Sequence, residues 1–188
     1  KFSDVGTKIV IEEFLEGDEI SILTFSDGKT FKSLPPGQDH KRIFDGHKGP
    51  NTGGMGVYGP TDFVSPAYMG KIEQEILAPT FEGLRSEGVK VLIPMETILR
   101  KGKLTTSIKG RPFQGMLFTG IMITARGPKI LEYNVRFRDL ETQSLVPLMA
   151  PATDLLRICL ICTYVSLAYV RVAVRPGYAC HVVVASAG

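Results

Sequence analysis

Tryptophan is absent from these 188 residues, and cysteine and histidine number only three each. Cys159 and Cys162 form a Cys-x-x-Cys with neither a second pair nor a nearby histidine pair, which argues against structural zinc. Buried free thiols in a reducing compartment are expected instead. Charge of one sign is also scarce: 22 Lys and Arg stand against 19 Asp and Glu, a net +3 spread along the chain. Nucleic-acid binding needs a clustered basic face and a stacking series of aromatics, and neither is present. The uncharged stretch 158–170 is bracketed by Arg157 and Arg171 and is too short to span a bilayer. It is expected to be buried helix and strand. The first eight residues carry no apolar signal region. The glycine-rich loop 49–60 has no Walker lysine and no dinucleotide fingerprint.

A hydrophobic content of 44% and this length allow one domain, or one and a fraction, with a sizeable core. Residues 7–17 read as a buried strand ending at Gly17, and 18–34 as two alternating strands joined at Asp27-Gly28. Residues 35–60 are punctuated throughout by glycine and proline and read as one long loop. Residues 65–88 open with a Ser cap and a first-turn proline and continue with helical spacing. Residues 112–137 give two strands around Ala-Arg-Gly-Pro, 151–167 a helix, and 168–186 a final β pair. Helices interleaved with antiparallel hairpins predict an α+β fold.

Several polar groups are candidates for a site. Glu132, Asn134 and Arg136 alternate with Tyr133, Val135 and Phe137. On a strand the apolar set would face a core and the polar set the other side. Carboxylate, amide and guanidinium together can hold a hard cation beside an anion, although a solvated strand face gives the same alternation. Gly53, Gly54, Met55 and Gly56 form either a ligand loop or simple flexible chain. Asp39, His40, Lys41 and Arg42 crowd both charge signs into a proline-framed loop, which is equally a solvated charge run. Glu12 and Glu13, with Glu19 beyond the turn, would be exposed hairpin carboxylates or part of a nucleotide edge.

In combination, "VIEEFLEGDEIS" (10–21), "PPGQDHKRIFDGHKGPNTGGMGVY" (35–58), "FQGMLFTGIM" (113–122) and "LEYNVRFRDLETQ" (131–143) resemble the phosphoribosylamine–glycine ligases. These are ATP-grasp enzymes of purine synthesis, and the likeness is greatest to fungal forms fused to an aminoimidazole ribonucleotide synthetase. The resemblance implies a cytoplasmic enzyme that joins glycine to 5-phosphoribosylamine through glycyl phosphate, with ATP and Mg²⁺ (or Mn²⁺). It implies Glu132 and Asn134 as metal ligands and Arg136 on anionic oxygens. Glu12, Glu13, Phe14 and Leu15 would form the adenine edge and Glu19 the ribose contact. Asp39, Lys41, Arg42 and Asn51, with the loop Gly53–Gly56, would face glycine and phosphoribosylamine.

The implied architecture is the carboxy-terminal half of an ATP-grasp domain over 1–150, then the start of a small β-rich carboxy-terminal domain over 151–188. No nucleic-acid or membrane partner is implied, and the chain alone is expected to be inactive. Departures are an insert-like stretch over 89–110, which could form a short hairpin, and Arg138 and Leu140 where the family usually has glycine and proline.

Overall fold

The computed structural model describes residues 9–46, 48–87, 89–90, 107–108 and 112–186. In chain order it runs β1 (Asp18–Asp27), β2 (Phe31–Ser33), β3 (Gln38–Asp39), β4 (Arg42–Phe44), β5 (Lys48–Asn51) and β6 (Gly56–Gly59). A long helix follows, in two α segments, α1 (Pro66–Ile72) and α2 (Ala78–Ser86), joined by a π turn at Glu73–Leu77. Then come β7 (Val89–Lys90), β8 (Ser107–Ile108), β9 (Gln114–Thr124) and β10 (Gly127–Asn134). The chain ends in α3 (Glu141–Leu145), α4 (Leu155–Thr163) and β11 (Ala179–Val182), with 3₁₀ turns at Val146–Leu148 and Leu167–Tyr169.

The main sheet has the order β10-β9-β1-β2, with every neighbour antiparallel. The β1–β2 hairpin forms where Asp27-Gly28 predicts it. Asp27 Oδ1 accepts from the Lys29 and Thr30 amides at 2.9 and 2.7 Å, and Gly28 takes a φ of 89°. The β9–β10 hairpin turns at Ala125-Arg126, also as expected.

β1 and β9 are buried on both faces, because each face of the sheet carries its own core. One face packs Ile20, Ile22, Leu117 and Ile121 against Ile72, Ile76, Leu77 and Phe81 of the long helix. The other packs Leu23, Phe25, Met116 and Phe118 against Leu145, Leu148, Ile158, Cys162 and Leu167. Each fully buried aliphatic or aromatic side chain contributes roughly 1.5–3 kcal/mol.

The long helix starts as its sequence dictates: Ser65 Oγ accepts from the Tyr68 amide at 3.2 Å, with Pro66 in the first turn. The π turn has a local cause. Pro79 has no amide to donate and crowds the carbonyl four residues earlier, so the ladder widens just before it. The Ala78 amide accordingly reaches the Glu73 carbonyl.

Four sequence expectations need correction. Residues 9–16 form no strand, and Ile9, Val10, Ile11 and Phe14 are 78–87% exposed, because no described strand lies beside them to pair with. Residues 35–60 are not a structureless loop: β3 and β6 join β11 in a second sheet, and β4 pairs with β5. The segment after α4 yields one strand, β11, which pairs with β6 and not with its own neighbour. Stretch 158–170 is only half buried. Its helix stops at Thr163, and Leu160, Tyr164 and Tyr169 are 51%, 75% and 91% exposed. Of the insert-like stretch 89–110, only β7 and β8 fall among the described residues; they pair antiparallel, Val89 with Ile108.

Of the thiols expected to be buried, only Cys162 is; Cys159 is half-buried and Cys180 is exposed. Cys159, Cys162 and Cys180 are unpaired with one another, and burial pushes the Cys162 thiol up to about 11. Among the described residues no helix is long and apolar enough to cross a membrane.

Candidate functional site

The face of the main sheet turned away from the long helix carries the polar groups. Along it β1 and β9 set three successive rows: Glu19 opposite Met122, Ser21 opposite Gly120, and Leu23 opposite Phe118. Lys129, Glu132 and Asn134 of β10 extend the same rows. This requires a β-bulge between Ile130 and Glu132, which shifts the register by one residue. Without it Leu131 and Tyr133 would stand in those rows, since a one-residue slip exchanges the two faces. Gly120 leaves the room: a Cβ there would sit 3.2 Å from Glu132 Cγ.

β10 is an edge strand, so its opposite face is only partly covered. Tyr133 and Val135 are therefore 41% and 74% exposed, not core as their alternation predicts. Tyr133 Oη meets Thr80 Oγ1 of α2 at 2.7 Å, and Phe137 alone of the three packs on a core.

A second set of groups comes from the segment after β2. Gly37 bridges to Ser21 through paired backbone bonds of 2.8 and 2.9 Å, bringing β3 to the edge of β1. Glu19 and Met122 of the sheet then line a cleft of about 320 Å³ with Asp39, Lys41, Arg42 and Asn51. Lys41 Nζ pairs with Glu19 Oε1. Thr52 holds the Lys41 carbonyl through its amide at 2.7 Å and its hydroxyl at 2.9 Å. Arg42 Nη1 donates to the Gly49 carbonyl at 2.6 Å, and Asn51 stands opposite Arg42 in the β4–β5 pair.

Two carboxyls beside this cleft are buried and incompletely partnered. Asp39 is 7% exposed and its Oδ1 accepts from no group among the described residues. Burial pushes its pKa above the ordinary value and the Glu19 charge adds to this, against the pull of Lys41, Arg138 and His40. Glu141, at the start of α3, is 1% exposed and also raised. Burial is the main cause, with Asp39 adding to it; the 2.8 Å bond from Ser21 Oγ and the Arg138 charge oppose it. Glu141 Oε2 has no hydrogen-bond partner among the described residues.

A folded-state pKa above the unfolded one means stability that is full in acid and lost as pH rises through the folded value. Glu141→Gln should therefore raise the urea midpoint at pH 7, with the gain vanishing below about pH 4. A gain that persisted at pH 3 would show that charge burial is not its source.

The sequence-predicted residues thus divide. Glu19, Asp39, Lys41, Arg42 and Asn51 line one cleft, and Glu132 and Asn134 stand in adjacent rows of the same sheet face. Gly54 belongs with them: at φ 125° its Cβ would lie 2.4 Å from Leu140 Cδ1 and 3.0 Å from Asp39 Oδ1. Gly56 is required by the close approach of β11, where a Cβ would lie 2.6 Å from the His181 carbonyl oxygen. Gly53 meets nothing within 4 Å, and Met55 lines a separate groove with Arg42 and Phe44.

Two groups fall elsewhere. Glu13 pairs with Arg126 and, at 3.7 Å, with Lys129, while Phe14 and Leu15 line a groove along the β9–β10 turn. Glu12 beside them is exposed. Arg136 follows the end of β10, donates to the Phe137 carbonyl at 3.2 Å, and lines an apolar pocket with Phe25, Met116 and both Cys159 and Cys162. The guanidinium that reaches Glu132 is Arg138, at 3.3 Å.

Sequence reading did not single out Ser21 or Glu141. The only signal for Glu141 is its place in the motif that also holds Glu132. Leu140 just before it takes φ 76° and ψ −50°, which no proline can adopt and which costs an ordinary residue about 1–3 kcal/mol.

Comparison with known proteins decides the family. The family model for the phosphoribosylglycinamide synthetase ATP-grasp (A) domain matches residues 1–102 and 93–142. The chain belongs to the phosphoribosylglycinamide synthetase ATP-grasp family.

A bifunctional purine biosynthetic protein of Schizosaccharomyces pombe is 45% identical over 188 residues, all of this chain and 21% of that protein. A phosphoribosylamine–glycine ligase of Agrobacterium fabrum is 41% identical over 187 residues, which is 38% of its length. The crystal structure of phosphoribosylamine–glycine ligase from Thermotoga maritima superposes with a TM-score of 0.65 at 32% identity, covering 91% of this chain and 37% of that one. This family member therefore spans about a fifth of the fungal relatives (21%, 17% and 18%). Relatives named as bifunctional and trifunctional purine biosynthetic proteins carry the related sequence within longer polypeptides.

Proposed function

We propose that this chain supplies one wall of a ligase site that joins glycine to 5-phosphoribosylamine at the expense of ATP, giving glycinamide ribonucleotide in the cytoplasm. The observation that carries the reading is the cleft in which Glu19, Asp39, Lys41, Arg42 and Asn51 converge beside Glu132 and Asn134. The chemistry has two displacements. A glycine carboxylate oxygen attacks the γ-phosphorus of ATP and ADP leaves; the amine of phosphoribosylamine then attacks the acyl carbon and phosphate leaves. Both steps require anions to be held together and water kept out, more than covalent help from the protein.

Lys41 and Arg42 offer positive charge to the carboxylate and phosphoryl oxygens. Glu19 orients Lys41, and Glu19 and Asp39 give acceptors for ammonium and hydroxyl groups. Phe14 and Leu15 present an apolar edge for the adenine, with the backbone from Glu12 to Leu15 along it.

Glu132 and Asn134 fit a hard divalent cation such as Mg²⁺ or Mn²⁺. Their side chains lie in adjacent rows, and the Asn134 amide has a buried atom, Nδ2, without a partner. A half-turn of that amide would present its oxygen at the same place. Such an ion would neutralise phosphate oxygens. Residues 1–150 are assigned to the ATP-grasp domain. The following unit begins at 151, and its α4 docks on the sheet through Ile158 and Cys162. Fusion to an aminoimidazole ribonucleotide synthetase is proposed by similarity to the bifunctional relatives.

A second reading, a catalytically inactive remnant with at most weak nucleotide binding, is favoured by the exposure of the apolar residues Ile9, Val10, Ile11 and Phe14 among the described residues. Calorimetric titration with MgATP separates the two. Saturable binding that Glu132→Ala removes and Tyr133→Phe keeps supports the ligase wall. Absent binding supports the remnant, and equal loss from both substitutions would mean a folding defect.

A further inference from the structure

Arg138 holds a position that the ligase reading leaves without a task. Its Nη1 lies 3.3 Å from Glu132 Oε1, and its guanidinium carbon lies 5.0 Å from the centroid of the Phe118 ring. The side chain is 21% exposed, so the stacked guanidinium is largely enclosed, whereas Glu132 keeps 42% of its side chain open to a solvated ion. Asp39 and Glu141 both feel the Arg138 charge, so one cation serves three carboxyls on this face. Stacking on an aromatic ring fixes a guanidinium in place, and a carboxylate already paired is a poorer ligand for a second cation.

We infer that Arg138 is a resident counter-cation on Glu132, so that a divalent metal alone binds this site more weakly than one that arrives with anionic phosphates to offset the added charge. The inference rests on Glu132 and Asn134 being the metal ligands. Without phosphate, a metal at Glu132 would face the guanidinium across one carboxylate. With phosphate bound, both cations have anions to share, and Arg138 can turn a donor toward a phosphate oxygen while its plane stays on Phe118.

The test is titration of the full chain with Mn²⁺ alone, free ion being counted by electron paramagnetic resonance. Arg138→Gln should bind Mn²⁺ about fivefold more tightly than the native chain, the scale of one partly exposed ion pair. Arg138→Met, which keeps an apolar contact with Phe118, should show the same gain, and Arg138→Lys should stay near native. Adding inorganic tripolyphosphate should narrow the gap between native and Arg138→Gln. Circular dichroism checks that each variant is folded.

Equal affinity in native, Arg138→Gln and Arg138→Met overturns the inference, as does a full gain in Arg138→Lys. If that happens while Glu132→Gln still abolishes Mn²⁺ binding, the metal site stands and only the counter-cation role falls. If Glu132→Gln leaves Mn²⁺ binding unchanged, or no protein binds the ion, both fall together.

Discussion

Alanine at position 17 should cost the protein on the order of 3 kcal/mol or more. Gly17 sits at φ 152°, and a Cβ there would lie 2.0 Å from the Ile123 carbonyl oxygen and 2.8 Å from its carbon. That carbonyl cannot retreat cheaply. Ile123 belongs to β9, held between Asp18 of β1 on one side and Pro128 of β10 on the other. Relief therefore means opening the β1–β9 ladder at its start, where Gly17 and Glu19 line the cleft.

Gly83→Ala is the matching control. Gly83 lies inside α2 and a Cβ there would meet nothing within 4 Å, so alanine should stabilise by about 0.5–1 kcal/mol. Urea unfolding followed by circular dichroism measures both. A Gly17→Ala midpoint within error of native would show that the turn into β1 is not fixed as described.

What the sequence made legible was whatever its own neighbours decide. The Asp27-Gly28 hairpin is closed by a side chain bonding its own next residues, and the long helix starts at a serine capping its own first turn. Strands that depend on distant partners were misread. "IVIEEF" has strand composition, yet composition alone forms no ladder. In the other direction, Gln38–Asp39 and Gly56–Gly59 look like loop but pair with each other, and Gly56–Gly59 pairs on its other side with Ala179–Val182. A β-strand exists through its partner, and a partner more than a hundred residues away leaves no local mark.

The site shows the same division. The residue types of Asp39, Lys41, Arg42 and Glu19 left a solvated charge run equally open; the family resemblance singled them out together with Asn51, and all five line one cleft. Alternation also placed Glu132 and Asn134 on one face, but for an incomplete reason. The bulge after Ile130 decides which face that is, and nothing in "KILEYN" signals an extra residue. Extending the alternation past Asn134 put Arg136 on the same face as Glu132 and Asn134. The strand ends there, and the chain swings so that Arg138 reaches Glu132.

Asp27→Ala should destabilise the fold by about 2–4 kcal/mol at neutral pH, far more than its place in a hairpin turn suggests. The carboxylate is 1% exposed and serves two parts of the chain at once. Oδ1 closes the β1–β2 turn, and Oδ2 accepts from the Leu167 amide at 2.8 Å, 140 residues along the chain. Alanine would leave that amide buried without an acceptor, beside a Leu167 side chain that is itself fully buried. Asp27→Asn has a single carbonyl oxygen for three donors, so it should lose less than alanine but still a clear amount.

The pH dependence identifies the cause. Burial alone would raise the Asp27 pKa, but the Thr30, Lys29 and Leu167 amides outweigh it and hold the pKa below the ordinary range. In the unfolded chain the group titrates near 3.9. Between the two values the unfolded state binds the proton more readily, so stability is full above about pH 4 and falls as pH drops through the folded value. Asp39 and Glu141, with raised values, act with the opposite sign, so the native curve alone mixes the two. The difference between native and Asp27→Asn removes them. It should be large and flat from pH 6 to 8 and shrink below about pH 4. A difference that stayed constant down to pH 2 would mean that the amides of Lys29, Thr30 and Leu167 do not hold an ionised carboxylate.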